Sequence, residues 1–141
     1  MSTQNFKNST LKLYIPKVLR HTKRVLVMEF VRGRKISDLQ GLKYDFKNQE
    51  GVKSVGFELN AIFGKMLFKY GQIHCDAHPG NILVRRLDSG RPEIVLLDHG
   101  FYACLDSQFM QQFCELWYAL VTFNNKRMRE IAQEMGVGEY Y

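Results

Sequence analysis

Two short apolar runs, Asn81-Ile82-Leu83-Val84-Arg85 and Glu93-Ile94-Val95-Leu96-Leu97-Asp98, flank an Asp88-Ser89-Gly90 turn. Aliphatic and β-branched residues on both sides of a glycine-containing turn form the pattern of an antiparallel hairpin. Its ends are rich in polar residues. Asp76 stands just before the first strand, Asn81 at its start and Asp98 at the end of its partner. Pro79-Gly80 forces an irregular turn between Asp76 and Asn81, so both side chains can face one cavity. Loop residues held beside hairpin ends have the rigidity that catalytic groups require.

The flanking segments predict an α+β chain. Val52, Val55, Leu59, Ile62, Phe63, Met66, Leu67 and Tyr70 recur at steps of three and four, which predicts a helix over 52–70 with one core-facing side. Gly71 closes it. Further upstream, residues 11–19 alternate like a strand, with Pro16 marking an edge or a bulge, and residues 24–31 form a second strand. A short helix is expected around Ile36–Leu42. Downstream, Asp106 caps a helix running to about Val121, with Phe109, Met110, Phe113, Leu116, Trp117 and Leu120 on its buried side. A last helix covers Asn125 to Met135 and ends at Gly136, while residues 1–10 read as a loose end.

At 141 residues the chain can build one domain with a real core. Its 45% apolar and 24% charged residues exclude a disordered chain. A net charge of +6 favours phosphates or anionic surfaces without naming one. No apolar run approaches the roughly 20 residues of a membrane-spanning helix. Cys75, Cys104 and Cys114 lack zinc or redox-motif spacing, so a reducing compartment is the simpler reading, and Cys75 reads as a packing residue. The first acidic residue is Glu29, and the Ser-, Thr- and Asn-rich start has the composition of a transit peptide.

Asp76, Asn81 and Asp98 supply hard oxygen donors, which suit Mg²⁺ sharing its shell with water and substrate phosphates. Phosphoryl transfer needs this set: a carboxylate to orient the attacking hydroxyl, and an amide and a carboxylate to hold the metal. His74-Cys75-Asp76 followed by Asn81 reproduces the H-x-D-x-x-x-x-N spacing, and Asp98-His99-Gly100 takes the D-F-G place with His for Phe. A competing reading is a transition-metal hydrolase site, because His74, Asp76 and His78 alternate and His99 could join them.

Residues 74–84, His74-Cys75-Asp76-Ala77-His78-Pro79-Gly80-Asn81-Ile82-Leu83-Val84, resemble the catalytic loop of the UbiB-like, aarF-domain-containing atypical kinases. Ala77 replaces that family's usual Pro. Ile15-Pro16-Lys17-Val18 and Val25 to Gly33 resemble the strand pair before the family's hinge, so the likeness covers about residues 11–122. His99 and Cys75 are similar to a mitochondrial subgroup. Aminoglycoside and choline kinases share a related loop and form the nearest competing family.

The resemblance implies a partial protein-kinase-like fold. Residues 11–33 would hold the last small-lobe strands and the hinge, 34–122 the large lobe with its catalytic hairpin, and 123–141 a further helix. Asp76 would be the catalytic carboxylate and His74 its brace. Asn81 and Asp98 would bind Mg²⁺ and with it ATP, Met28 would be the gatekeeper, and the Glu29-to-Val31 backbone would meet adenine. The phosphate-covering loop, strand Lys and K-x-G-Q segment of such kinases have no counterpart in these residues. The chain would then be incomplete, weakly active alone and prone to associate through surface meant for the small lobe. The implied function is a phosphotransferase or ATPase linked to coenzyme Q or lipid homeostasis, in mitochondria or plastids. The other open reading is a noncatalytic module that binds a protein partner or an anionic membrane surface. No nucleic acid is expected as a partner.

Overall fold

The computed structural model describes residues 11–47 and 49–137. The expected loose end at 1–10 lies outside the described residues. Eight strands are described: β1 (Leu13–Tyr14), β2 (Val18–His21), β3 (Leu26–Met28), β4 (Arg34–Lys35), β5 (Gln72–His74), β6 (Ile82–Arg86), β7 (Pro92–Leu96) and β8 (Tyr102–Cys104). Four α-helices accompany them: α1 (Leu39–Asp45), α2 (Gln49–Phe68), α3 (Ser107–Val121) and α4 (Asn125–Glu134).

The β6–β7 hairpin forms the middle of a four-stranded sheet ordered β1-β7-β6-β4. Its register pairs Ile82 with Leu96 and Arg86 with Pro92, and Gly90 turns the chain at φ 82°. That angle suits glycine, which has no Cβ to clash. Ile94, Val95 and Leu96 are all fully buried. A continuous buried run means that both faces of β7 are covered. Val55, Ile62 and Met66 of α2 share the core with Ile94 and Leu96 of β7 and Ile82 and Val84 of β6. Leu42 of α1 and Phe46 just after that helix complete it.

β1 pairs in parallel with β7, an arrangement that the sequence does not announce. Glu58 of α2, itself buried, accepts the Lys12 backbone N–H and pairs with Arg91, so a carboxylate fastens the approach to β1. A buried charge is tolerable only when partnered in this way. The strand expected over 11–19 is two strands. Buried Pro16, which has no N–H to donate, separates them, and the β2–β3 pairing carries an irregularity between Val18 and Arg20. The short helix lies at Leu39–Asp45, later than the expected 36–42, because the Asp38 side chain caps it on the Gly41 N–H. Asp106 caps α3 on the Phe109 N–H, as its sequence position suggests.

Two burial expectations fail. The face of α3 carrying Phe109, Phe113 and Trp117 stacks on itself and on Phe68, and Trp117 and Leu120 stay exposed. Only Ala119 of α3 is buried among the described residues, because α4 packs against another side of the helix. Cys75 is exposed, since alternation along β5 turns His74 inward and its neighbour outward.

Candidate active site

The loop from β5 to β6 is built around His74, which is 4% exposed. The Asp76 backbone N–H donates to Nδ1 of His74 at 3.1 Å, and Nε2 lies 2.7 Å from the Asp98 carbonyl. A carbonyl only accepts, so Nε2 carries the proton and Nδ1 is the acceptor. His78 then caps a 3₁₀ turn over Pro79–Asn81, its Nδ1 accepting the Gly80 N–H at 3.0 Å. That turn delivers Asn81 to the start of β6. The Asn81 carbonyl accepts the Leu97 N–H at 2.9 Å, locking it beside the residue before Asp98.

The loop between β7 and β8 carries Asp98-His99-Gly100. Asp98 Oδ1 accepts the Gly100 N–H at 2.8 Å. His99 contacts the Leu96 carbonyl through Nε2 at 3.0 Å and the Tyr102 hydroxyl through Nδ1 at 2.8 Å. Burial holds the His99 imidazole below its usual range, against the opposing pull of the Leu96 carbonyl. Burial likewise raises the Tyr102 phenol to about 12, helped by the Asp98 charge.

A cavity of about 650 Å³ lies between the β2–β3 ribbon and these loops. Ile15, Pro16, Val18, Leu26 and Met28 form its apolar wall, and Asn81 and Asp98 face it from the hairpin ends. The Asn81 side-chain nitrogen is buried without a hydrogen-bond partner among the described residues. Buried amides are normally satisfied, so this one is not consumed by the fold. After β3, the Glu29 side chain turns away to accept the Tyr14 hydroxyl at 2.6 Å and the Lys17 N–H at 3.3 Å. The Glu29 N–H donates to the Lys17 carbonyl. The Tyr14 hydrogen bond is the main cause holding the Glu29 carboxyl below its ordinary range. Val31, two residues further on, is buried.

The structure thus gathers Met28, Asn81 and Asp98 around one cavity. Asp76 is exposed and tied to them through His74. Glu29 and Val31 lie on the strap past Met28, outside the lining residues. The alternating histidines do not make a transition-metal centre. Both nitrogens of His74 and of His99 are committed to hydrogen bonds, and no group of three or more His, Cys, Asp or Glu could hold a metal among the described residues. Sequence reasoning missed Tyr102 and Tyr14. The only signal for Tyr102 is its position three residues after His99, a relation that has meaning only once the loop is closed.

Comparison with known proteins shows the family and the fold. Residues 2–132 match the family described as the ABC1 atypical kinase-like domain. The chain is 43% identical over 121 residues to AarF domain-containing protein kinase 1 of Xenopus laevis, covering 85% of this chain and 23% of that protein. It is 42% identical over 121 residues to the Mus musculus protein of the same name, covering 85% and 22%. It is 39% identical over 131 residues to a probable serine/threonine-protein kinase, abkB, of Dictyostelium discoideum, covering 92% and 19%. The chain therefore spans less than a quarter of the length of these relatives. A solved structure of Rv3197 from Mycobacterium tuberculosis, in complex with erythromycin, superposes with a TM-score of 0.68 at 18% identity, over 94% of this chain and 32% of that one.

Proposed function

Because the chain belongs to the ABC1 atypical kinase-like family, we propose that its cavity is the large-lobe side of a magnesium–nucleotide site. The observation that carries this reading is the common cavity of Met28, Asn81 and Asp98. An apolar wall suits a flat base, and oxygen donors at the opposite end suit a cation and phosphates. The Asn81 side-chain oxygen and the carboxylate oxygen of Asp98 that the Gly100 N–H leaves free are the hard donors that would hold Mg²⁺, which would supply charge neutralisation to the phosphates.

In this reading, the Glu29 carbonyl and the Val31 N–H meet the base. Neither has a backbone partner among the described residues outside the strands, and the Glu29 side chain is already held by Tyr14. Asp76 orients the group that attacks the terminal phosphate. His74 acts as a brace, since both its nitrogens are committed. The reaction is phosphoryl transfer or nucleotide hydrolysis. The coenzyme Q or lipid setting and a mitochondrial site follow from the family resemblance, with plastids as the other organelle it allows. Among the described residues, no helix is long and apolar enough to cross a membrane.

In this reading residues 11–33 are the last strands of a small lobe and the hinge, and such a lobe would supply the remaining contacts to the triphosphate. Exposed Leu19, Val25, Leu26 and Phe30, the last at 86%, give the β2–β3 ribbon an apolar surface suited to such a lobe or to a protein partner. Methyl NMR of the methionines tests the site. Adding ADP without metal shifts the Met28 methyl and leaves Met128 of α4 unmoved. A Met28 signal that does not respond at saturating ADP contradicts the reading.

A further inference from the structure

We propose that Tyr102 is a positioning residue for Asp98, and that its hydroxyl is what allows a histidine to occupy the place between Asp98 and Gly100. The inference rests on the reading of Asp98 as a metal ligand given above.

Residues 97–101 connect β7 to β8, and one imidazole ties the two ends of that connection together. His99 Nε2 holds the Leu96 carbonyl at 3.0 Å, and Nδ1 holds the Tyr102 hydroxyl at 2.8 Å. The carbonyl can only accept, so Nε2 bears the proton, Nδ1 is the acceptor, and Tyr102 donates. A phenylalanine at this position would hold the turn by burial alone. An imidazole brings two polar atoms into a partly buried place, and each needs a partner. The Leu96 carbonyl serves one and Tyr102 the other.

Tyr102 is itself well anchored. It pairs with His74 across β5 and β8, their rings 4.9 Å apart. Its ring lies parallel to His99, at 1° and 5.8 Å. The consequence falls on Asp98. Its carbonyl is held by His74 and Oδ1 by the Gly100 N–H, while the other carboxylate oxygen takes no hydrogen bond among the described residues. A loop closed by His99 and Tyr102 keeps that oxygen on the cavity. Without the Tyr102 hydroxyl, His99 Nδ1 loses its hydrogen-bond donor, and the loop loses its tie to β8.

The test compares the full 141-residue chain with Tyr102→Phe and with the double variant His99→Phe, Tyr102→Phe. Nitrogen-15 NMR of the imidazoles reads the hydrogen bond at His99 Nδ1. Electron paramagnetic resonance reads Mn²⁺ binding in the presence of ADP, and ADP binding is measured separately without metal. The expected result is an altered His99 Nδ1 signal in Tyr102→Phe and a Mn²⁺ affinity lower by about tenfold, the usual loss when a residue orienting a metal ligand is removed. Metal-free ADP affinity stays unchanged, and the double variant recovers most of the Mn²⁺ affinity. Equal Mn²⁺ affinity in wild type and Tyr102→Phe overturns the proposal, as does a double variant no better than the single. Should Tyr102→Phe fail to fold, a tenfold loss in the double variant overturns it alone. A wild-type chain that binds ADP but no Mn²⁺ removes the metal reading and this proposal with it.

Discussion

His74 and Asp98 are joined by a 2.7 Å contact between the imidazole Nε2 and the backbone carbonyl, although 24 residues separate them in the chain. Through its other nitrogen the same ring holds the Asp76 N–H. One buried side chain therefore sets the spacing between the two acidic loops of the site. Its commitment to two backbone groups also explains why a histidine, rather than any planar residue, stands at this position.

Replacing His74 with alanine leaves the Asp76 N–H and the Asp98 carbonyl without their partner beneath a partly closed surface. Each unsatisfied buried group costs about 1–3 kcal/mol. His74→Ala is expected to lower stability by about 2–4 kcal/mol in urea unfolding. A loss below about 0.5 kcal/mol, the range of ordinary surface substitutions, would show that the ring is not a structural brace.

Gly71 connects α2 to the strand that carries His74, with φ at 58°. A Cβ there would clash with Met110 Sδ. Gly71→Ala combines a left-handed penalty of about 1–2 kcal/mol with displacement of Met110. Differential scanning calorimetry is expected to show a clearly lower Tm, and an unchanged Tm would refute the assigned turn.

Much of this framework could be read from the chain. The β6–β7 hairpin, α2 with its glycine stop and the Asp106 cap all follow from local periodicity and turn chemistry, because each is decided within a dozen residues. The parallel β1–β7 pairing and the β5–β8 ladder depend on partners about 80 and 30 residues away, and two- or three-residue strands leave no period to detect. That Asn81 and Asp98 come to one cavity was legible because the hairpin sets them at its two ends. Tyr102 was not, because its role comes from a ring brought back across a loop. The α3 aromatics had the right spacing for a core face, yet spacing cannot say whether anything packs on it.

The Glu29 carboxyl lies below its ordinary 4.5 chiefly because the Tyr14 hydroxyl donates to it. A depressed carboxyl contributes stability that is present above its unfolded value and is lost as pH falls through the folded one. Carbon-13 NMR of Glu29 should therefore show a midpoint below 4.5 in wild type and a rise toward it in Tyr14→Phe. The stability difference between the two proteins should shrink on acidification. A Glu29 midpoint unaffected by Tyr14→Phe would rule out the contact.

Tyr102 is shifted in the opposite direction, from 10.0 to about 12, mainly by burial. A group whose folded value is raised contributes stability present below the unfolded value and lost as pH rises toward the folded one. The expected loss begins near pH 10 and is complete once the pH has passed about 12. Ultraviolet titration of wild type minus Tyr102→Phe should show one phenol ionising well after the exposed tyrosines. A difference curve centred at 10 would mean that Tyr102 is open to water.

The central claim is a metal-dependent nucleotide site whose cation is held by Asp98. Isothermal titration calorimetry with ATP, in magnesium and in excess chelator, tests it on the 141-residue chain and on Asp98→Asn. ATP binding is expected to be strengthened by Mg²⁺ in the wild type, with no effect of Mg²⁺ in Asp98→Asn. Binding that is equally strong with and without Mg²⁺, or a magnesium effect that survives Asp98→Asn, would contradict it.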